Sequence, residues 1–215
     1  TVPGKAREVA EVVGTDKSRM LTLLKVKSTG LPVPTAYPAA EAKVGQTAVA
    51  LGRALDPSPA SPPAVSVGVL SAKNRLLGRF MQTDAKASPA NYGGPLVALD
   101  GRVFGVLVPA SPQGDGDTAG FEWYDSGVGF LAPFDEVLAR LPALRDKKEL
   151  RRGLLGINPD PKANPYHAPP VVAAVGPDSA AARAGVKVGD TIVKMDGKAV
   201  PHFSALQHRL GPLYE

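Results

Sequence analysis

With 215 residues, 44% of them hydrophobic, and a formal charge of +5, the chain can bury a core and lacks the charge excess of a polyelectrolyte binder. It contains no cysteine, which excludes disulfides, thiol nucleophiles and cysteine-ligated metals among its own residues. No run approaches the roughly 20 apolar residues of a membrane-spanning helix, and the first residues lack the basic-then-apolar pattern of a signal peptide.

The 22 prolines and 23 glycines predict short strands joined by many turns, hence a mainly β component. From Lys5 to Val13, Ala6, Val9, Val12 and Val13 alternate with charges, which predicts a strand ending at a turn, Gly14-Thr15-Asp16. Leu21 to Val26 is almost continuously apolar and predicts a second strand buried on both faces or close to it. Two strands leave an apolar face bare, so they should belong to a larger sheet. Pro32, Pro34 and Pro38 exclude a central strand and make Lys27 to Glu41 an extended connector. A surface loop, Asp56 to Pro63, precedes the alternating Val65 to Ser71, a strand pattern. Arg79 to Thr83 leads into Ser88-Pro89-Ala90-Asn91-Tyr92-Gly93-Gly94. Pro95 to Leu99 and Val103 to Val108 then flank Asp100-Gly101, a strong hairpin signal.

Ser111 to Ser126 carries Phe121, Trp123, Tyr124 and Asp115-Gly116-Asp117. It lacks the later glutamate and regular acidic spacing of a calcium loop, so it reads as a surface loop. Phe134, Val137, Leu138 and Leu141 keep helical spacing after a proline, predicting a helix to Leu144. Arg145 to Arg152 reads as a charged linker. Its Lys147, Lys148, Arg151 and Arg152 have no interleaved aromatics, which favours a solvated face over a nucleic-acid patch. His167, His202 and His208 show no H-x-x-x-H spacing, so neither a metal nor a cofactor is expected.

Gln82-Thr83-Asp84 followed by Ser88-Pro89-Ala90-Asn91-Tyr92-Gly93-Gly94-Pro95-Leu96 resembles the nucleophile loop of trypsin-like serine proteases of the HtrA family. There the run is Q-T-D, a spacer, then N-P-G-N-S-G-G-P-L, and Tyr92 stands at the serine. Val13 to Lys25 resembles that family's V-G-T-D-x-x-x-D-L-A-L-L-K, with Met20 at the triad aspartate. Val44 to Gly52 is similar to V-G-Q-x-V-x-A-I-G, Val65 to Ser71 to V-T-x-G-I-V-S, and Gly127 to Pro133 to the pocket-lining G-I-G-F-A-I-P. Arg152 to Ile157 matches R-G-W-L-G-V, the opening of a PDZ domain, and the likeness continues through Val171 to Val200. Phe203, Leu206 and Leu210 fit the apolar stripe of its long helix.

The resemblance implies a trypsin-like double β-barrel, its first barrel only partly present, followed by an α+β PDZ domain. Residues 1–26 would be the last strands of the first barrel and 27–43 the connector. Residues 44–144 would be the second barrel with its closing helix, 145–152 a linker, and 153–215 a PDZ domain without its final strand. The family's histidine lies in an upstream T-N-x-H-V run, so the resemblance also implies a longer protein in which another segment completes the first barrel. By the same analogy the protein would be periplasmic or secreted and able to form a trimer.

A serine protease needs a nucleophile, a histidine base, an aspartate that orients it, and two backbone donors for the oxyanion. The phenol of Tyr92 carries its oxygen several ångströms beyond a serine hydroxyl, and Met20 cannot orient an imidazole. The oxyanion donors would be the amides of Ala90 and Tyr92, within the loop formed with Asn91 and Gly93, and the β-carbon of Ala90 disfavours the glycine conformation that position takes in the family. Ser88 and Thr83 are candidate neighbouring hydroxyls for a rescue. Tyr92 itself reads as an aromatic plug, or as an aromatic surface offered to a partner.

In the PDZ part, the amides of Leu154, Leu155, Gly156 and Ile157 would hold a peptide carboxylate beside a pairing strand. Pro159, Pro161 and Pro165 shorten that strand, leaving weak peptide binding or a packing role. Three functions remain: a non-catalytic HtrA-like protein that binds proteins or peptides, an active endopeptidase whose catalytic residues lie elsewhere in a longer protein, and a structural piece of an oligomer.

Overall fold

The computed structural model describes residues 8–52, 62–110, 126–146 and 149–214. Outside these fall Ala6, most of the Asp56 to Pro63 loop, residues 111–125 with Phe121, Trp123, Tyr124 and Asp115-Gly116-Asp117, and Lys147 with Lys148. Apart from Leu76–Gly78, the chain up to Leu150 forms one compact unit, and Arg151–Glu215 forms another.

The first unit holds β1 (Glu11–Asp16), β2 (Leu21–Lys25), β3 (Thr47–Gly52), β4 (Ala64–Asn74) and β5 (Phe80–Thr83), and the single turn α1 (Arg75–Gly78) between β4 and β5 falls outside it but for Arg75. It continues with β6 (Pro95–Ala98), β7 (Val103–Val108), β8 (Gly129–Pro133), helix α2 (Phe134–Arg145) and β9 (Glu149–Leu150). Six strands close a barrel in the order β3-β4-β5-β8-β7-β6, each pair antiparallel. In β3 the alternation of Thr47, Val49 and Leu51 with fully inward Ala48, Ala50 and Gly52 sets the register. Leu70, Leu96, Phe104, Leu107 and Leu131 are completely buried in the same core, and each such side chain contributes about 1.5–3 kcal/mol. The Asp100-Gly101 turn joins β6 to β7 as its sequence predicts, with Gly101 at φ +85°.

The connector is tied to this barrel. Tyr37 donates its amide to Val103 O at 2.8 Å, stacks obliquely on Phe104 at 4.7 Å and lies under the Arg102 guanidinium at 3.9 Å. Arg102 also pairs with Asp100 at 2.9 Å. The backbone amide of Arg102, then its side chain, hold the Asp100 carboxyl below the usual carboxylate range.

Three expectations are corrected in the first sheet, whose order is β2-β1-β9. Gly14-Thr15-Asp16 is not a turn: β1 bulges between Val12 and Gly14 and runs on to Asp16. Its parallel pairing with Glu149 and Leu150, and the bond from Lys17 N to Leu150 O at 2.9 Å, keep it extended. The turn is 17–20, where Asp16 Oδ1 accepts the Arg19 amide at 2.9 Å. β2 is not buried on both faces: among the described residues it lies at the edge of the sheet, and Leu24 is 54% exposed. The segment read as a linker supplies β9 to this sheet before the second unit starts.

Helix α2 starts after Pro133, with Asp135 and Glu136 in the first turn, where carboxylates suit the helix dipole. It packs on β1, and a β-carbon on Gly14 would lie 2.4 Å from Leu144 O, so glycine permits that approach. Among the described residues no helix is long and apolar enough to cross a membrane.

The second unit contains β10 (Ile157–Asn158), β11 (Ala174–Val175), α3 (Ala180–Arg183), β12 (Lys194–Met195), β13 (Lys198–Ala199) and α4 (Phe203–Leu210). Val200, Phe203 and Leu206 form its core, with Ile157, Ile192, Met195 and Leu210 packed against them. Both helices are capped by side chains: Ser179 Oγ accepts Ala182 N at 3.1 Å, and His202 Nδ1 accepts Ala205 N at 3.1 Å. Gly153 N donates to Leu213 O at 2.9 Å, and Arg152 bridges to Tyr214. The architecture is mainly β, a six-stranded antiparallel barrel unit followed by a smaller unit of short strands and two helices.

Candidate functional site

The Ser88–Gly94 loop crosses one end of the barrel. Asn91 is 8% exposed, and its side chain pins the turn: Oδ1 accepts Ser88 N at 2.6 Å and Nδ2 donates to Lys86 O at 3.2 Å. A β-carbon on Gly52 would sit 2.4 Å from Asn91 Cβ, so the barrel wall makes room for this residue. Gly93, at φ +81°, donates to Leu107 O at 2.8 Å, while Leu107 N donates to Gly94 O at 2.9 Å. A β-carbon on Gly94 would meet Leu51 O at 2.3 Å. Thus Asn91, Gly93 and Gly94 hold the turn by close approach and positive φ, independently of any reaction.

The two amides expected to face an oxyanion are turned onto Ser88. Ala90 N donates to Ser88 Oγ at 3.3 Å, and Tyr92 N donates to Ser88 O at 3.2 Å, an acceptor shared with Asn91 N at 3.0 Å. Ala90 is not in the positive-φ region, which suits its β-carbon. Ser88, considered above as a substitute hydroxyl, serves the turn instead. Thr83, the other candidate, is fully buried and donates its hydroxyl to Val69 O at 2.8 Å.

Tyr92 is half-buried and packs against the barrel core. It shares one cavity of about 490 Å³ with Met20, so the fold brings together the two positions that the sequence places 72 residues apart. Met20 closes its turn at φ +57°. Thr22 and Tyr92 bring hydroxyls to this cavity, and the rest of its described lining is apolar side chain or backbone, including Leu107, Val137 and Leu141. No imidazole, carboxylate or amine side chain lies among those lining residues. Among the described lining residues there is therefore no general base for either hydroxyl.

A separate site lies within the second unit. Leu154, Leu155, Gly156 and Ile157 line a cavity of about 260 Å³ together with Arg152, Asn158, Phe203, Gln207 and Leu210. Gly156 is held at φ +74°, and a β-carbon there would lie 2.3 Å from Ser179 Cβ, so only glycine shapes this loop. Leu155 O and Gly156 O accept Ala181 N at 2.9 Å and Gly176 N at 2.7 Å. The amides of Leu154, Leu155 and Gly156 donate to no backbone carbonyl among the described residues. Successive amides without a backbone acceptor suit an anion, and Arg152 is among the residues lining the same cavity.

Sequence reasoning missed a charged cluster beside Met20. Arg19 is completely buried and pairs with Glu136, while Asp16 is 2% exposed and Arg79 donates from Nη1 to Ser18 O at 2.7 Å. The Asp16-to-Arg19 spacing of an Asx-type turn was the local signal, but nothing in the sequence pairs Arg19 with a residue 117 positions later. Among the described residues no group of three or more potential ligands could hold a metal.

Residues 1–106 match the trypsin-like peptidase domain family, and residues 171–209 match the PDZ domain family. A probable periplasmic serine endoprotease, DegP-like, from Halomonas elongata is 34% identical over 219 residues, covering 94% of this chain and 43% of the relative. A protein of the same description from Chlamydia trachomatis is 31% identical, covering 94% of this chain and 41% of its own length. The chain thus spans less than half the length of these curated relatives. Among solved structures, the HtrA-type protease AlgW with a decapeptide superposes with a TM-score of 0.71 at 26% identity, over 94% of this chain and 63% of that one. The serine endoprotease from Yersinia pestis does so with a TM-score of 0.66 at 25% identity, over 96% and 67%.

Proposed function

Starting from an HtrA/DegP-like chain, in which a trypsin-like fold precedes a PDZ domain, we propose that it binds free C-termini of proteins or peptides and does not cleave peptide bonds at the Tyr92 loop. The observation that carries this reading is the capture of the Ala90 and Tyr92 amides by Ser88. With those donors engaged, a nucleophile at position 92 would face no oxyanion hole, and Tyr92 and Met20 supply neither nucleophile nor orienting carboxylate. Preserved glycines and Asn91 then keep a turn, with the aromatic ring filling part of the former cleft.

The binding half rests on the open amides of Leu154, Leu155 and Gly156 and on Arg152, a set suited to a carboxylate. Phe203, Leu210 and Ile157 beside them suit an apolar terminal side chain. The domain limits given above apart from the linker, a periplasmic location and a trimeric state belong to the same proposal. The naming of the relatives supports the periplasmic location.

That naming also favours a second reading, hydrolysis by residues outside this chain. Two measurements decide. A fluorophosphonate probe applied to the full protein should leave this segment unlabelled, and covalent label within it would overturn the non-catalytic half. Fluorescence polarisation should show binding of an apolar-ended peptide with a free carboxylate, lost on C-terminal amidation and in Gly156→Ala. Equal binding of the acid and the amide would refute the carboxylate cradle.

A further inference from the structure

The groove of the second unit ends abruptly, and its backbone register shows where. Gly156 O and Asn158 O are turned towards β11, where they accept Gly176 N at 2.7 Å and Ala173 N at 2.9 Å. Ile157 lies directly opposite Val175 between these bonds. Backbone polar groups of successive strand residues face opposite sides, so Ile157 presents its N–H and C=O to the groove and the next residue to do so is 159. Position 159 is Pro159, which has no N–H to give.

The extended run of β10 also ends there. Asn158 lines the groove cavity, whereas Pro159 and Asp160 line an adjoining cavity of about 480 Å³ with Asn164, Pro165 and Pro169, Phe203 bordering both. Asp160 then closes a reverse turn, accepting Ala163 N at 3.0 Å on its carbonyl and Lys162 N at 2.8 Å on Oδ1. An extended ligand laid along β10 therefore meets one residue with a free donor and acceptor before the wall turns away.

We infer that this groove is a short-register reader: it grips the carboxylate and last residue of a C-terminus through the 154–157 loop and Ile157, and Pro159 prevents pairing with residues further upstream. Specificity then resides in the terminal side chain, held by Phe203, Leu210 and Ile157, and is indifferent to the sequence before it. The inference rests on the peptide-capture reading of the same groove. It implies partners chosen by their final residue, as a sensor of newly exposed chain ends would require, rather than by an extended motif.

The test is a length series on the full protein. Peptides of three, five and ten residues sharing the same apolar C-terminal tripeptide, each with a free carboxylate, are titrated by fluorescence competition. Their Kd values are expected to agree within about twofold, the resolution of less than one net hydrogen bond. Pro159→Ala, which restores the missing amide, is expected to let the decapeptide gain about two- to tenfold over the tripeptide. A decapeptide that already binds unaltered protein more than tenfold tighter than the tripeptide would overturn the short register while leaving peptide capture intact. Absence of binding at every length would overturn peptide capture, and the short register with it.

Discussion

Replacing Tyr92 by serine tests whether the loop lacks only its nucleophile. Serine would put a hydroxyl where the family has one, but Met20 would still stand in place of the carboxylate and Ser88 would still hold the amides of Ala90 and Tyr92. Loss of the orienting carboxylate lowers kcat about 10^4-fold, or about 5.4 kcal/mol. Loss of an oxyanion donor adds about 2.7–4 kcal/mol. Because triad members act as a unit, the deficit saturates near 10^6, so Tyr92→Ser should remain inactive. The variant also loses a half-buried ring packed on the barrel core, at roughly 2 kcal/mol, about half the value for a fully buried aromatic. Fluorophosphonate labelling followed by intact-mass spectrometry, with cleavage of an unfolded protein substrate, reads the first effect. Thermal unfolding reads the second. Labelling and cleavage by Tyr92→Ser at the rate of an active HtrA-type protease would refute the argument that the donors and the carboxylate position are also lost.

Asn91→Ala removes the acceptor for Ser88 N and the donor to Lys86 O in a buried turn, and should lower stability by about 1–3 kcal/mol in a urea titration. An unchanged midpoint would show that Asn91 does not hold the loop. Glu136→Gln takes the carboxylate from the fully buried Arg19 and should cost about 3 kcal/mol, the lower end for a broken buried pair because Glu136 is one-third exposed. A loss within the ordinary surface range, under about 0.5 kcal/mol, would contradict this. For Asp100, a carboxyl held low in the folded state adds stability above its unfolded pKa and loses it as pH falls through the folded one. Asp100→Asn should therefore melt below the parent at neutral pH, with the gap closing on strong acidification. A gap that widens in acid would reverse the assigned shift.

Local rules made much of this chain legible. The Asp100-Gly101 hairpin, the alternation of Val65 to Ser71 feeding β4, the helix after Pro133 and the stripe Phe203-Leu206-Leu210 each depend on neighbours within a few residues. The same locality explains the misreadings. Gly14-Thr15-Asp16 has turn composition, but pairing with Glu149 and Leu150, more than 130 positions away, keeps it a strand. Leu21 to Lys25 looks like a core strand by composition, yet sheet order leaves it at an edge.

By itself, the sequence determined that Tyr92 and Met20 carry neither a serine hydroxyl nor a carboxylate and that Pro159 has no amide, because these are properties of residue chemistry, while the PDZ-type loop around Gly156 was legible only through its resemblance to a known family. Only the tertiary structure decided that Met20 and Tyr92 share one cavity, that Ser88 takes the two loop amides, and that Ile157 faces the groove while its neighbours face β11. Those facts depend on the direction in which each amide points. Direction is set by long-range strand pairing and by close backbone approaches such as Gly94 to Leu51.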